Sequence, residues 1–338
     1  MNKKWQNFEI AKNYKIWFII PTVIMLFTII LVGGLSIARK SVGEGMNVGI
    51  DFTGGTILTV ELDRTDVNDN YQAHVDKITK IVETNGGDIN YVQKGGANTG
   101  ETASIIVKFK ADNSDELNNK IKLEVDNAYE NKAITNVKFI GPTASKDLIA
   151  TAVLSVVVSI VLILIYVIIR FEVWSGISAI VALIHDVLMM LCFTLIFQIP
   201  INSSFVAAMI TIVSYSINDT IVIFDRVREN QKIYGGNAKM TNRQLCDVSV
   251  KQTLTRSINT TLTTLFAITL LAIIGASSIK EFAMPIIFGL FAGMYSSIFI
   301  SPSFYCLIKN KFTGEFFNQG KLANGKGDKA GKKKKVKA

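Results

Sequence analysis

Tyr215-Ser-Ile-Asn-Asp-Thr-Ile-Val-Ile-Phe-Asp-Arg-Val-Arg-Glu-Asn230 begins inside an apolar run and ends in a dense set of charges. Asp219 and its neighbour Asn218 sit where the surrounding sequence reads as a membrane helix. A carboxylate at the centre of such a helix costs about 2.5 kcal/mol or more even on the lenient insertion scale. Two readings of Asp219 are therefore open. It belongs to an ion or proton path, or it is a structural acid satisfied by hydrogen bonds across a helix bundle.

The rest of the chain supplies that bundle. Hydrophobic residues make up 49% of the 338 and charged residues only 19%, with a mean hydropathy of +0.34. The apolar residues are bunched into long runs, the signature of a polytopic membrane protein. Six runs approach the ~20 residues needed to cross a ~30 Å hydrocarbon core. They cover 16–38, 148–169, 177–199, 205–224, 258–274 and 284–308, the fourth continuing as a polar helix towards Asn230. The first lacks a clear cleavage pattern in Gly33-Gly-Leu-Ser-Ile-Ala-Arg39 and reads as an uncleaved anchor.

Basic residues set the orientation. Lys3, Lys4, Lys12 and Lys15 precede the first span, and Arg170 separates the second from the third. Arg226, Arg228, Lys232, Lys239, Arg243, Lys251 and Arg256 lie between the fourth and fifth, in an expected cytoplasmic loop over 225–256. The turns Gln198-Ile-Pro-Ile201 and Gly275-Ala-Ser-Ser278 carry no basic residue. Both termini are thus expected in the cytoplasm: a short N-terminus, 1–15, and a basic, disordered tail, 309–338. The tail accounts for much of the net charge of +9, including Lys332-Lys-Lys-Lys335. Beside a last span it reads as a topological anchor near membrane lipids rather than as a nucleic-acid site.

Residues 39–146 form the expected extracytoplasmic domain, with the remaining five spans in 147–308. Strand patterns at 55–62, 89–93, 104–109 and 137–140 alternate with helix patterns at 67–84 and 114–129, the second opening on Ser114 as a plausible cap. A Gly95-Gly96 loop joins the middle strands. The order β-α-β-β-α-β is a ferredoxin-like α+β fold. One such domain between a first span and a block of five looks like half of a two-fold transporter.

Most familiar chemistries are excluded. Gly314 to Lys321 has one residue too many between its glycines for a P-loop, and Leu322 replaces the hydroxyl that would hold Mg²⁺. Cys192, Cys246 and Cys306 imply no disulfide framework, and His74 and His185 are the only histidines, so no metal or cofactor and no enzymatic activity are expected. His185-Asp186 resembles a base and its orienter, but adjacent helix residues point about 100° apart, so they are not expected to pair as a triad does. One or the other is expected to face the bundle interior and hydrogen-bond there, as an ion-path residue or as structural glue. Arg256, with Asn259 nearby, either snorkels to the interface or meets Asp219 and holds it ionised. Arg226 with Asp225, Arg228 and Glu229 reads as an ion-pair collar. Gly289 and Gly293 have the small-xxx-small spacing of close helix contact. At Gly49-Ile-Asp-Phe-Thr-Gly-Gly-Thr56, Gly54 and Gly55 permit a tight turn that Asp51 can cap. The same stretch also reads as a hinge between spans and domain.

Four segments together resemble the SecF family, the smaller partner of SecD in the bacterial Sec protein-export machinery. They are Gly49 to Thr56, Ala182-Leu-Ile-His-Asp186, Tyr215 to Asn230, and Gly289 to Pro302 with its Ser296-Ser297. The resemblance covers about residues 15 to 310. It implies an RND-type six-span half bundle whose other half is supplied by SecD in a heterodimer. It also implies the SecYEG channel as partner, with SecA driving insertion upstream and an exported unfolded polypeptide as client. The proton or sodium gradient would drive late translocation across the cytoplasmic membrane. Asp219 then matches the essential acid of the fourth span and Arg256 a functional base of the fifth, with Asn218, His185 and Asp186 beside them. Ser296 and Ser297 join Gly289 and Gly293 in span packing. An RND-type exporter of lipid or small molecules is the alternative, and a passive assembly scaffold the third reading.

Overall fold

In the computed structural model the described residues are 10, 13–38, 45–95, 102–110, 115–130, 132–234, 240–275 and 277–313. Lys3, Lys4, Lys12, Arg39, Gly96, Ser114, Lys239, Ala276 and the segment 314–338, with its lysine run, lie outside them.

The chain starts with helix α1 (Tyr14–Ala38) and a single turn, α2 (Ile50–Thr53). An α/β unit follows: β1 (Gly55–Asp63), α3 (Arg64–Asp69), α4 (Tyr71–Thr84), β2 (Asp88–Gly95), β3 (Thr102–Lys110), α5 (Asp115–Ala128) and β4 (Ile134–Ile140). Then come α6 (Pro142–Arg170), α7 (Val173–Ile196), α8 (Ser203–Tyr234) and α9 (Asn242–Ile274). The last membrane segment is composite. It runs through α10 (Ser277–Tyr295), a π-helical turn (Ser296–Ile300) and α11 (Ser301–Thr313).

The four strands form one antiparallel sheet in the order β2-β3-β1-β4, the ferredoxin-like arrangement. Alternation decides which face is covered. Leu58, Val60 and Leu62 of β1 and Ile105, Val107 and Phe109 of β3 point into a core closed by Val67, Ile78, Val82, Ile121 and Val125 from the helices. The helical pattern expected over 67–84 is split in two. Asp63 caps α3 by accepting the Thr65 N–H at 2.9 Å, and Asn70 leaves helical geometry between α3 and α4.

Among the described residues, six helical segments are long and apolar enough to cross a membrane. In the best 18-residue windows of α7, α8 and the composite segment, 56%, 44% and 61% of residues are buried, against 11%, 6% and 11% for α1, α6 and α9. The first three therefore form the centre, and the others present broad apolar flanks. The expected loop over 225–256 is instead almost wholly helix, because α8 runs on to Tyr234 and α9 begins at Asn242. A polar surface hid these turns, although a Thr241/Gln244 capping box marks the start of α9. Cys246 therefore lies in a packed helix, its Sγ 2.8 Å from that of Cys306.

Close approach of α8 and α10 sets the bundle core. A Cβ added at Gly289 would lie 2.5, 2.8 and 2.9 Å from three atoms of Ile212, and one at Gly293 would lie 3.1 Å from Ser216 Cβ. Helix propensity alone favours alanine over glycine by about 1 kcal/mol. Overpacking costs about 1–3 kcal/mol. We expect Gly289→Ala to lower the thermal midpoint of the full chain in detergent, and a second change, Ile212→Ala, to restore part of the loss. An unchanged midpoint in Gly289→Ala would remove this contact as a packing determinant.

Candidate functional site

The centre of the bundle holds two carboxylates on two helices. Asp186, on α7, is 1% exposed. Its Oδ2 accepts from the Ser216 hydroxyl of α8 and from Ser296 Oγ of the π turn at 2.9 Å. Its Oδ1 is 2.9 Å from His185 Nδ1. This corrects the expectation that the two neighbours cannot pair. The 100° separation applies to the Cα–Cβ directions, and the χ torsions of both side chains bring ring and carboxylate together over one edge of α7. The imidazole lies over Tyr295, with ring centroids 6.0 Å apart, and Tyr295 donates its hydroxyl to the Trp17 carbonyl of α1 at 2.9 Å. His185 Nε2 is buried with no hydrogen-bond partner.

Adjacent serines of the π turn serve different helices, as successive helical residues point well apart around the axis. The ladder of the π turn carries an extra residue per turn, which widens the helix locally. Ser296 bonds Asp186 of α7, while Ser297 is 2.9 Å from the Thr220 hydroxyl of α8. Both serines are buried. They therefore join the polar cluster as well as the α8 contact made by Gly289 and Gly293.

Asp219 is 4% exposed and faces α9, where Thr261 Oγ1 donates to its Oδ2 at 3.3 Å. The expected Asp219–Arg256 ion pair is not formed; Arg256 is exposed on α9. The reason is helical phase: five residues separate Arg256 from Thr261, about 140° around the axis. Asn218 likewise turns outward, one residue from Asp219. The outward positions form a polar seam of Thr211, Ser214 and Asn218 on α8 and Gln252, Thr255, Arg256, Asn259 and Thr263 on α9. Tyr215 closes the groove behind it, its hydroxyl 2.8 Å from the Thr260 carbonyl and 2.9 Å from Thr264 Oγ1.

The ionic collar lies at the far end of α8 from the α/β unit. Arg226 pairs with Glu229 and donates to Gln252 Oε1 at 2.6 Å, while Arg170 reaches Asp225 at 3.6 Å. Arg228 donates to the Arg170 carbonyl at 3.4 Å.

The opposite end is tied to the α/β unit. Val48 pairs with Ile201 in a parallel bridge, through Gly49 N–H to Ile201 O at 2.8 Å and Ile201 N–H to Asn47 O at 3.0 Å. Asn47 Nδ2 donates to Gln198 O at 2.5 Å. The approach is close at Gly49, where a Cβ would lie 3.0 Å from Asn202 Cβ and 3.1 Å from Ile201 O. Asp51 does not cap its own turn; its Oδ2 accepts the Ser203 N–H at 2.9 Å and so caps α8. Gly54 and Gly55 adopt φ of 74° and 143°, and a Cβ on Gly55 would lie 2.8 Å from Phe109 O. A cavity of about 540 Å³ separates the uncovered face of the sheet from this end, bridged by Lys108 to Glu281 at 3.6 Å and Asn202 to Glu281 at 2.5 Å.

The sequence reading missed Ser216 and Thr261 as partners of the buried acids, Thr220 as the partner of Ser297, and Tyr295 as the ring against His185. One signal was available: Ser257-Ile-Asn-Thr-Thr-Leu-Thr-Thr264 is hydroxyl-rich where a membrane span should be apolar.

Comparison with known proteins bears on this arrangement. The family described as "Protein export membrane protein SecD/SecF, C-terminal" matches residues 120–311, and the "SecD/SecF GG Motif" matches residues 42–66. Protein translocase subunit SecF of Sebaldella termitidis is 34% identical over 307 residues, covering 90% of this chain and 92% of that one. The SecF of Acidaminococcus fermentans is also 34% identical, covering 90% of this chain and 99% of its own, and that of Haemophilus influenzae is 32% identical, covering 87% and 83%. Among solved structures, SecDF of Thermus thermophilus, a translocon-associated membrane protein, superposes with a TM-score of 0.66 at 31% identity over 85% of this chain. SecDF in a super-membrane-facing form gives 0.60 at 30% identity over 90%. This chain spans 37% and 40% of those two SecDF chains. The chain belongs to the SecF family of protein-export membrane proteins.

Proposed function

We propose that this chain and SecD form a heterodimer in the cytoplasmic membrane, with both termini of this chain in the cytoplasm, that uses a proton or sodium gradient to draw exported polypeptide outward. SecA and the SecYEG channel would act upstream, handing over an unfolded client. One observation carries the reading: Asp219 is buried at the α8–α9 contact while Asn218 and Arg256 stand on a polar seam at membrane depth. Polar groups facing lipid cost free energy unless another chain or a water-filled path receives them. A second six-span half laid on that seam removes the cost, and the greater length of the SecDF chains accommodates such a half.

In this arrangement Asp219 is a two-state element. Held by Thr261, it faces inward. Ionised, it gains from turning towards Arg256, because an opposite charge within about 4–6 Å stabilises the carboxylate. A 100 mV potential supplies about 2.3 kcal/mol per charge moved, enough to bias the choice. Any shift of α8 is delivered to the α/β unit through the Asp51 cap and the Val48–Ile201 bridge, with Gly54 and Gly55 as the hinge before β1. The domain's movement would then act on the emerging client.

Asp219→Asn should abolish the gradient-dependent part of export of a secreted reporter, with expression and SecD association intact. Collapse of the gradient should then cause no further loss in the mutant, while it lowers export in wild type. Normal, gradient-sensitive export in the assembled mutant would clear Asp219 of the role. For the junction, Asp51→Ala removes the side-chain acceptor of the Ser203 N–H, whereas Asp51→Asn keeps an acceptor there. Export should fall in Asp51→Ala and largely persist in Asp51→Asn, both assembling with SecD. Equal export from the two variants would separate the cap from transmission.

A further inference from the structure

The His185–Asp186 pair has a chemistry distinct from that of Asp219. We propose that His185 Nε2 is a proton-binding atom of the bundle, and that the ion taken up there is a proton and not sodium. The proposal deepens the ion-coupled reading above and rests on it.

The donor set supports it. Asp186 is already supplied with hydrogens: Ser216 and Ser296 point hydroxyls at Oδ2, and His185 lies against Oδ1. Hard cations need several oxygen lone pairs directed at one point. Here the hydroxyls are directed at the carboxylate, that of Ser296 being shared with the Gly293 carbonyl at 3.2 Å, and the unpartnered atom of the pair is a nitrogen, His185 Nε2. The His185 side chain is 8% exposed, so this nitrogen is enclosed by the fold. Imidazole is the side chain suited to exchanging a proton near neutral pH.

Uptake of one proton at Nε2 forms a single N–H bond and converts the neutral ring to imidazolium. Its positive charge sits 2.9 Å from the Asp186 carboxylate, so the pair goes from one net negative charge to none. A neutral hydrogen-bonded pair is easier to bury than a lone charge. The titratable groups facing the site are His185 and Asp186 themselves on α7 and Tyr295 on α10; α8 and the π turn contribute Ser216 and Ser296, and α1 contributes the Trp17 carbonyl through Tyr295. Ser296 and Ser297 are consecutive, so the cluster connects through Thr220 to the residue beside Asp219.

The chain's two histidines make the test direct. The full chain, labelled with ¹⁵N-histidine and reconstituted in lipid nanodiscs with unlabelled SecD, is followed by NMR as pH is varied. His74→Gln isolates the His185 signals, and His185→Gln assigns them independently by their loss. The expected result is a single pH-driven passage from neutral ring to imidazolium, unmoved when NaCl replaces KCl at fixed pH and altered by Asp186→Asn. The proposal is overturned if the ring stays in one protonation state at every pH that supports export, or if sodium shifts its signals at fixed pH. The ring is read directly, so a negative result is distinguishable from failure of the coupling reading, which Asp219→Asn decides through export alone. Persistence of the transition in Asp219→Asn would support the assignment of an independent site.

Discussion

Two buried carboxylates constrain how the helices of this bundle pack. Hydrocarbon offers no water, so each acid must find donors inside the fold. Asp186 recruits Ser216 from α8 and Ser296 from the last segment. Those short side chains reach it only because α8 and α10 approach closely at Gly289 and Gly293. The next residue, Ser297, meets Thr220 of α8. Small residues, a widened turn and three central helices are thus one solution to one cost.

The same economy operates where the bundle meets the α/β unit. Helix α8 needs a partner for its first N–H groups. The local cap is Asn202, whose Oδ1 accepts the Phe205 N–H at 3.1 Å, and the Asp51 carboxylate, from the segment that leads into β1, takes the Ser203 N–H. The second bond is long-range in sequence and lies on the helix that carries Asp219. With the Val48–Ile201 bridge, it makes the start of the sheet and the top of α8 neighbours by hydrogen bond as well as by contact.

Much of this was legible in the sequence, and the exceptions share a cause. Six apolar runs and an alternating domain are long, strongly periodic signals, and they appear as six membrane-length segments and an antiparallel ferredoxin-like sheet. The part of the segment beyond Asn230 misled because solvated helix turns are as polar as a loop; the Thr241 capping box is what marks the start of α9. His185 and Asp186 misled for another reason. Periodicity fixes where a Cβ points and says nothing of χ, and the pair is made by χ. Asp51 was read as capping its own turn because sequence shows neighbours and not the helix folded over them. Thr261 is the instructive omission. It lies five residues beyond Arg256, and phase alone puts the hydroxyl inside and the guanidinium outside.

That division of α9 bears on how a membrane protein can hold an acid and a base near one another without letting them pair. Were Arg256 inside, a buried ion pair would lock α8 to α9, since breaking such a pair by removing one partner costs about 3–5 kcal/mol. With Thr261 inside, Asp219 is held by a single hydroxyl, which is worth far less. The acid is satisfied yet not trapped, and the base waits on a surface whose polarity makes little sense against lipid. In the reading proposed above, weak restraint on one side and a basic residue on the outward face of α9 on the other make an arrangement that a small electrochemical bias would tip.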